Sequence, residues 1–75
     1  MNGRVEALEF LLDKKSPLIG PKLAEMKIKK NVLIAGIVRE GKLIIPGGQD
    51  AFQVGDTVIV VTTHLGFHDM ENILE

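Results

Sequence analysis

The hydrophobic and polar positions near the start of the chain alternate with a period of two. Over residues 5–12, the apolar side chains of Leu8, Phe10 and Leu12 fall on one face and charged residues interrupt the other. Such alternation is typical of a β-strand with one buried face. Pro17 ends the polar segment that follows, because proline lacks the amide hydrogen that a strand ladder needs. We therefore predict a first strand over residues 5–12, at the edge of a sheet.

Three later segments also predict strands. Residues 31–39 are the most apolar part of the chain and are rich in β-branched side chains, which predicts a central strand. Glu40-Gly41 predicts a tight turn, since glycine adopts positive φ easily, and residues 42–46 then return antiparallel as a hairpin. A second turn, Val54-Gly55-Asp56, leads into residues 57–62, which predict the last strand.

Two segments predict helices. Gly20-Pro21 resembles a helix start, because proline suits the first helical position, and Leu23 and Met26 then share one side of a short helix. From Thr63, a plausible N-cap, apolar residues recur at steps of three and four, which predicts a C-terminal helix packed on the sheet. These apolar residues are Phe67, Met70, Ile73 and Leu74. The predicted fold class is α+β, a small and mainly antiparallel sheet with a short helix after the first strand and a C-terminal helix.

The composition predicts self-association on physical grounds. The chain has 75 residues, 45% of them hydrophobic, and no cysteine. One domain of this size seldom gains more than about 3–5 kcal/mol from its core, and neither a disulfide nor a thiolate metal site is available as a supplement. We therefore expect a homodimer.

Charge and hydropathy argue against two classes of partner. The longest apolar run, Val32–Val38, is too short to span a bilayer, and the N-terminus shows no secretion signal, so we expect no direct membrane insertion. A net charge of -1 argues against nucleic acid as a target. The exception is a local cluster of Lys27, Lys29 and Lys30, which fits either a solvated loop or an anion contact.

No catalytic or metal-binding pattern is visible, and we expect a protein that is not an enzyme. His64 and His68 are four residues apart, which would place them on one face of a helix, but the other residues of a zinc-protease motif do not follow. Ser16 is the only serine, and Pro17 beside it indicates a turn. The glycines form no phosphate-binding loop.

Three motifs taken together resemble the RCK C-terminal domain, also called the TrkA-C domain, of potassium-uptake regulators. They are the segment SPLIGPKLAEM over residues 16–26, the segment VLIAGIVREGKLIIP over residues 32–46, and the segment VGDTVIV over residues 54–60. Their order and spacing match the family pattern over residues 4–74. The resemblance implies that residues 1–75 form one regulatory domain, with the nucleotide-binding RCK domain of longer relatives lying outside this chain.

This resemblance also implies a function and a location. Domains of this family are cytoplasmic, dimerise, and regulate a membrane subunit that translocates potassium, at the inner face of the cell membrane. The resemblance thus implies no cofactor in this chain, and a dimer whose rearrangement on ligand binding modulates cation transport.

The resemblance suggests a small nucleotide, such as cyclic di-AMP, as the regulator. Some relatives bind it in the groove of the dimer, through an asparagine or a basic residue that leads into the aliphatic strand. Lys29, Asn31 and Arg39 are the candidate ligand-binding residues here, although Asn31 also fits a turn and Arg39 a strand end. Leu33 stands where the family pattern has asparagine.

Two alternatives remain open at this point. The same domain could regulate another transporter, such as a cation/proton antiporter or a dicarboxylate carrier. A small dimeric DNA-binding module of the swapped-hairpin type uses similar strands, but it predicts an arginine-rich face that the sequence lacks.

Overall fold

The fold is a four-stranded antiparallel sheet whose long connections cover one of its faces. The computed structural model describes residues 4–64 and 66–75. Four strands form the sheet, β1 (Glu6–Leu11), β2 (Val32–Arg39), β3 (Lys42–Ile44) and β4 (Thr57–Thr62). Their order across the sheet is β1-β4-β2-β3, so β1 and β3 are the edge strands and β4 and β2 the central ones. The predicted strands, including the edge position of the first and the central position of the second, are confirmed.

The predicted hairpin between β2 and β3 is also confirmed. Glu40 and Gly41 have φ values of 51° and 76°, and they connect strands that pair through Arg39 and Lys42. Positive φ at both central residues is the signature of a type I′ turn, whose twist matches that of the strands it joins. Glycine adopts this conformation without strain, whereas Glu40 does not.

One face of the sheet, which we call the inner face, carries the core. Val58 and Val60 of β4 and Ile37 of β2 are fully buried there. The connections supply the rest of the buried apolar side chains, namely Leu12, Leu18, Phe52, Met70 and Ile73. The segment 19–24 is held against the loop 48–52 by backbone hydrogen bonds such as Leu23 N to Asp50 O at 2.9 Å.

The predicted short helix after the first strand is wrong. Leu23–Glu25 forms a single turn of 3₁₀-helix instead. The amide of Ala24 donates to Gly48 O at 2.9 Å, so the backbone of this segment bonds to the neighbouring loop. The turn ends at Met26, whose backbone is extended with a φ of -88° and a ψ of 141°, and Ile28 beyond it pairs with Leu74 in an antiparallel bridge.

The predicted C-terminal helix is wrong as well, since only a 3₁₀ turn, Met70–Ile73, is present among the described residues there. Gly66 has a φ of 74°, which interrupts a right-handed helix. Further on, Leu74 forms an antiparallel bridge with Ile28, and Glu75 N donates to Lys27 O at 2.9 Å. Met70 and Ile73 nevertheless bury their side chains in the core, as the spacing indicated.

The opposite side of the sheet, which we call the outer face, has no covering element among the described residues. Because side chains alternate along a strand, this face carries Leu33 of β2, Leu43 of β3 and Leu11 of β1. Their side chains are 61%, 63% and 74% exposed. Ile59 and Val61 of β4 lie between them and are half-buried. An antiparallel sheet with one face in water usually places polar residues there, so this face is unusually apolar.

Candidate functional site

Two of the three candidate ligand residues lie in one turn that leads into β2. We call residues 29–31 the basic turn. Asn31 has a φ of 65°, a left-handed conformation that asparagine tolerates better than most residues. Lys29 N donates to Ile73 O at 2.7 Å, and Thr63 N donates to Asn31 O at 3.3 Å. The backbone of the basic turn is thus fixed by the segment that follows β4, while the Asn31 side chain is exposed.

His64 also belongs to this site, although the sequence did not associate it with the basic turn. Its Nε2 lies 2.7 Å from Lys30 O, and its backbone amide donates to Thr62 Oγ1 at 3.0 Å. The first contact requires Nε2 to carry the proton, because a carbonyl oxygen only accepts. His64 and His68 do not share a helix face, and no group of three potential metal ligands occurs among the described residues.

The basic turn and the residue two positions before it carry three lysine side chains without a close acidic partner among the described residues. Lys27, Lys29 and Lys30 form no ion pair within 4.0 Å, since the one ion pair in the described part of the chain is elsewhere. Unpaired ammonium groups on adjacent residues attract an anion. The arrangement can therefore hold a phosphate-bearing ligand, with the Asn31 amide as a neighbouring hydrogen-bonding group.

Arg39 lies far from the other two candidates. It ends β2, whereas Asn31 precedes the same strand, so the two residues are about 25 Å apart at about 3.3 Å per residue. The Arg39 guanidinium donates from Nε and Nη2 to the two carboxylate oxygens of Asp56, each at 2.8 Å, and to Ala51 O at 3.1 Å. Its donors are therefore engaged within the fold.

The Arg39–Asp56 pair joins the end of β2 to the turn before β4. Asp56 is fully buried, and Gln53 N donates a further hydrogen bond to Asp56 Oδ2 at 2.8 Å. The hydrogen bonds from Arg39 hold the pKa of the Asp56 carboxyl below its usual value, against the opposing effect of burial. The same contact raises the pKa of Arg39. A bidentate pair of this kind fixes the two segments relative to each other.

A surface cavity of about 340 Å³ lies near the far end of β1 and contains none of the candidate residues. Its lining includes the apolar residues Phe10, Leu12 and Met70 and the polar residues Asp13, His68 and Glu71. In the part of the chain that is described, no helix has both the length and the apolar character needed to cross a membrane.

These observations define a small antiparallel β-sheet domain with a basic turn, a structural ion pair and an exposed apolar sheet face. The family model described as the TrkA-C domain matches residues 7–75, and the chain belongs to that family. It is 28% identical over 71 residues to the Trk system potassium uptake protein trkA homolog 1 of Methanosarcina mazei, which covers 95% of this chain and 18% of the relative. It is 35% identical over 60 residues to the Trk system potassium uptake protein TrkA homolog of Archaeoglobus fulgidus, covering 80% of this chain and 14% of the relative. The chain thus spans less than a fifth of the length of these curated relatives.

Proposed function

We propose that this chain is a non-catalytic regulatory domain of a potassium uptake system. It acts on the cytoplasmic side of the membrane, on a partner subunit that translocates the ion. The observation that carries the proposal is the TrkA-C match over residues 7–75, together with relatives whose names are those of Trk potassium uptake proteins. In this proposal the domain works as one part of a longer protein, which its coverage of only 18% and 14% of the two relatives supports.

Regulation by this domain requires two arrangements that a ligand can distinguish. A homodimer provides them, since two copies can pack in more than one relative orientation. A ligand that binds one arrangement more tightly shifts the population toward it, by an amount set by the difference in affinity. The exposed apolar residues Leu11, Leu33 and Leu43 support dimerisation, because contiguous apolar surface of this kind marks interaction sites.

The basic turn is the proposed ligand site, and cyclic di-AMP is the proposed ligand. Its phosphates suit the unpaired ammonium groups of Lys29 and Lys30, and Asn31 offers an amide. Because Lys29 N and Asn31 O bond to Ile73 and Thr63, a ligand that moves the turn also moves the segment after β4. Arg39 has no part in this proposal. Its guanidinium binds Asp56, and it lies about 25 Å from Asn31 at the other end of β2.

Calorimetry with cyclic di-AMP tests the ligand, using three variants. Lys29→Ala removes one ammonium group and should weaken binding at least tenfold. Asn31→Gly removes the amide but keeps the positive φ of the turn, so any loss of binding reports the side chain. Lys14→Ala is the control, because Lys14 is an exposed lysine at the opposite end of the sheet. Absence of saturable heat at millimolar ligand would reject cyclic di-AMP.

Transport measurements test the regulatory role. The part of the gene that encodes residues 4–75 of this chain is deleted. Rubidium uptake is then measured in cells that grow at limiting potassium. We expect the uptake rate to change while the amount of the membrane subunit stays constant. An unchanged rubidium rate would contradict regulation of potassium uptake. If the rate for another solute changed instead, the domain would be assigned to a different transporter.

A further inference from the structure

The antiparallel pairing of β2 and β4 brings His64 beside the basic turn. Val32 at the start of β2 pairs with Thr62 at the end of β4, so the residues before β2 and after β4 meet at one end of the sheet. His64 Nε2 lies 2.7 Å from Lys30 O, and the side chain is half-buried. The His64 amide donates to Thr62 Oγ1 at 3.0 Å. The imidazole is therefore held at a fixed place next to the proposed ligand site.

The contact with Lys30 O leaves the second ring nitrogen of His64 available. A carbonyl oxygen only accepts, so Nε2 carries a proton and Nδ1 of the neutral ring is an acceptor. Nδ1 makes no hydrogen bond within the part of the chain that the structure describes. A proton added at Nδ1 would turn the ring into a cation with two donors and would keep the bond from Nε2 to Lys30 O. His64 can thus gain a positive charge and a donor without moving.

The charged groups on the segments around His64 are mostly basic. They are Lys27, Lys29 and Lys30 at the basic turn and just before it, Arg4 and Glu6 at the start of β1, which pairs with the end of β4, and Glu75, whose amide bonds to Lys27 O. No carboxylate oxygen of the described residues lies within 4.0 Å of a ring nitrogen of His64. An anion bound at the basic turn would therefore be the acidic partner nearest to the ring.

We propose that His64 in its protonated form is a binding group of this anion site, so that a phosphodiester bound at the basic turn takes up a proton with it. The inference rests on the ligand site in the proposed function and adds a dependence on pH. Histidine ordinarily changes charge between about pH 5 and 8. A lysine ammonium keeps its charge over this range, as does a phosphodiester. The affinity for the anion should rise as the pH falls, and His64 should account for the rise.

The expected size of the effect follows from one added charge. A hydrogen bond from an imidazolium to a phosphate oxygen is charge-assisted and about twice as strong as a neutral one. We expect the affinity at pH 5.5 to be at least about fivefold higher than at pH 7.5. Since coupling between two binding events is reciprocal, the anion should favour protonation of His64 by the same factor.

Two anions test this inference at pH 7.5 and pH 5.5. Cyclic di-AMP is titrated by calorimetry, and sodium sulfate is titrated by NMR, with sodium chloride at equal ionic strength as the blank. Sulfate keeps its charge over this range and needs no recognition of a base. Calorimetry near pH 6.5 in two buffers of different ionisation enthalpy then measures the protons that the unmodified chain takes up on binding. We expect an uptake between zero and one proton per chain, clearly above zero.

The two histidines of the chain provide matched variants. In His64→Gln the amide can still donate to Lys30 O but carries no charge at either pH, so binding should lose its pH dependence and its proton uptake. His68 lines the cavity near the far end of β1, and His68→Gln should keep the pH dependence of the unmodified chain. Circular dichroism verifies that both variants remain folded at both pH values.

The outcomes separate this inference from the proposed function. Binding of cyclic di-AMP with equal affinity at both pH values, or a pH dependence that His64→Gln retains, would overturn the role of His64 and leave the ligand site standing. Sulfate binding that depends on pH through His64, without binding of cyclic di-AMP, would support the inference and reject the proposed ligand. If neither anion binds, the basic turn is not an anion site, and the role of His64 is overturned with it.

Discussion

Replacing Asp56 by alanine tests whether the ion pair at the end of β2 holds the fold together. The substitution removes both acceptors of the Arg39 guanidinium and leaves Ala51 O as its remaining partner. It also removes the acceptor of the Gln53 amide. Asp56→Asn is the graded counterpart, because an amide keeps one acceptor oxygen but turns an NH₂ group toward donors of Arg39.

The expected loss of stability is large because Asp56 is fully buried. Breaking a buried, hydrogen-bonded ion pair by removing one partner costs about 3–5 kcal/mol. We place Asp56→Ala near the lower end, about 3 kcal/mol, since the Arg39 side chain is 25% exposed and water can solvate its guanidinium. A small domain of this kind has a total stability of the same order, so the variant should be largely unfolded at 25 °C.

Urea denaturation followed by far-ultraviolet circular dichroism measures this loss, since the chain has no Trp or Tyr to report by fluorescence. All variants are compared at one protein concentration, because the proposed dimerisation would add to apparent stability. Glu71→Ala removes an exposed carboxylate and should change stability by less than about 0.5 kcal/mol. A loss below about 1 kcal/mol for Asp56→Ala would refute the role assigned to the pair.

Three further outcomes follow from the structure. The pKa of Asp56 is depressed in the folded state, so its contribution to the free energy of unfolding is present above the unfolded pKa of about 3.9 and is lost as the pH falls through the folded pKa. The free energy of unfolding measured over an acid pH series should show this loss, and Asp56→Asn should make the pH dependence weaker. Gly41→Ala should cost about 1–2 kcal/mol in urea denaturation because φ is 76° there, whereas Glu40→Asn should gain about 0.5 kcal/mol; equal effects of both would contradict the type I′ turn. Gly36→Ala would place a Cβ 2.9 Å from Leu43 Cδ1, and since Leu43 is flexible and exposed, we expect a loss under about 1 kcal/mol by the same assay.

The strands could be predicted from the sequence because each has a local signal. Residues 57–62 are a β-branched run bounded by turns, and the Glu40-Gly41 pair specifies the hairpin register without any distant contact. The order of the strands carries no such signal. β4 lies between β1 and β2 through pairings of residues about 50 and 25 positions apart, which no local pattern encodes.

The helices were predicted wrongly because distant partners compete for their backbone groups. The apolar steps from Phe67 to Leu74 do correspond to buried side chains, but the amide of Glu75 and the carbonyl of Ile73 pair with residues 27–29. The Asn72 side chain also accepts hydrogen bonds from the amides of His68 and Asp69, a local alternative to helical bonds. Spacing alone cannot distinguish a helix from a 3₁₀ turn with the same buried positions.

The sequence predicted only part of the candidate site, because some of its contacts join residues that are far apart in the chain. Lys29 and Asn31 are two positions apart and had to lie together, whereas the strand predicted over residues 31–39 already separates Arg39 from them by its full length. The contact of His64 with Lys30 spans 34 residues and depends on the pairing of β4 with β2. A histidine that follows one strand and a turn that precedes its neighbour are brought together by antiparallel pairing, so the pairing was the missing signal.

The distribution of aliphatic residues between the two faces links the fold to the proposed assembly. Along β4, Val58 and Val60 are fully buried on the inner face, while Ile59 and Val61 point outward with nothing above them in the described residues. A strand that needed one buried face would alternate apolar and polar residues, and β1 does so with Glu9 between Leu8 and Phe10. The central strands instead have the continuous apolar pattern of strands that are covered on both faces. The chain covers one face with its own connections, and the sequence of β4 and β2 suits a second cover on the outer face.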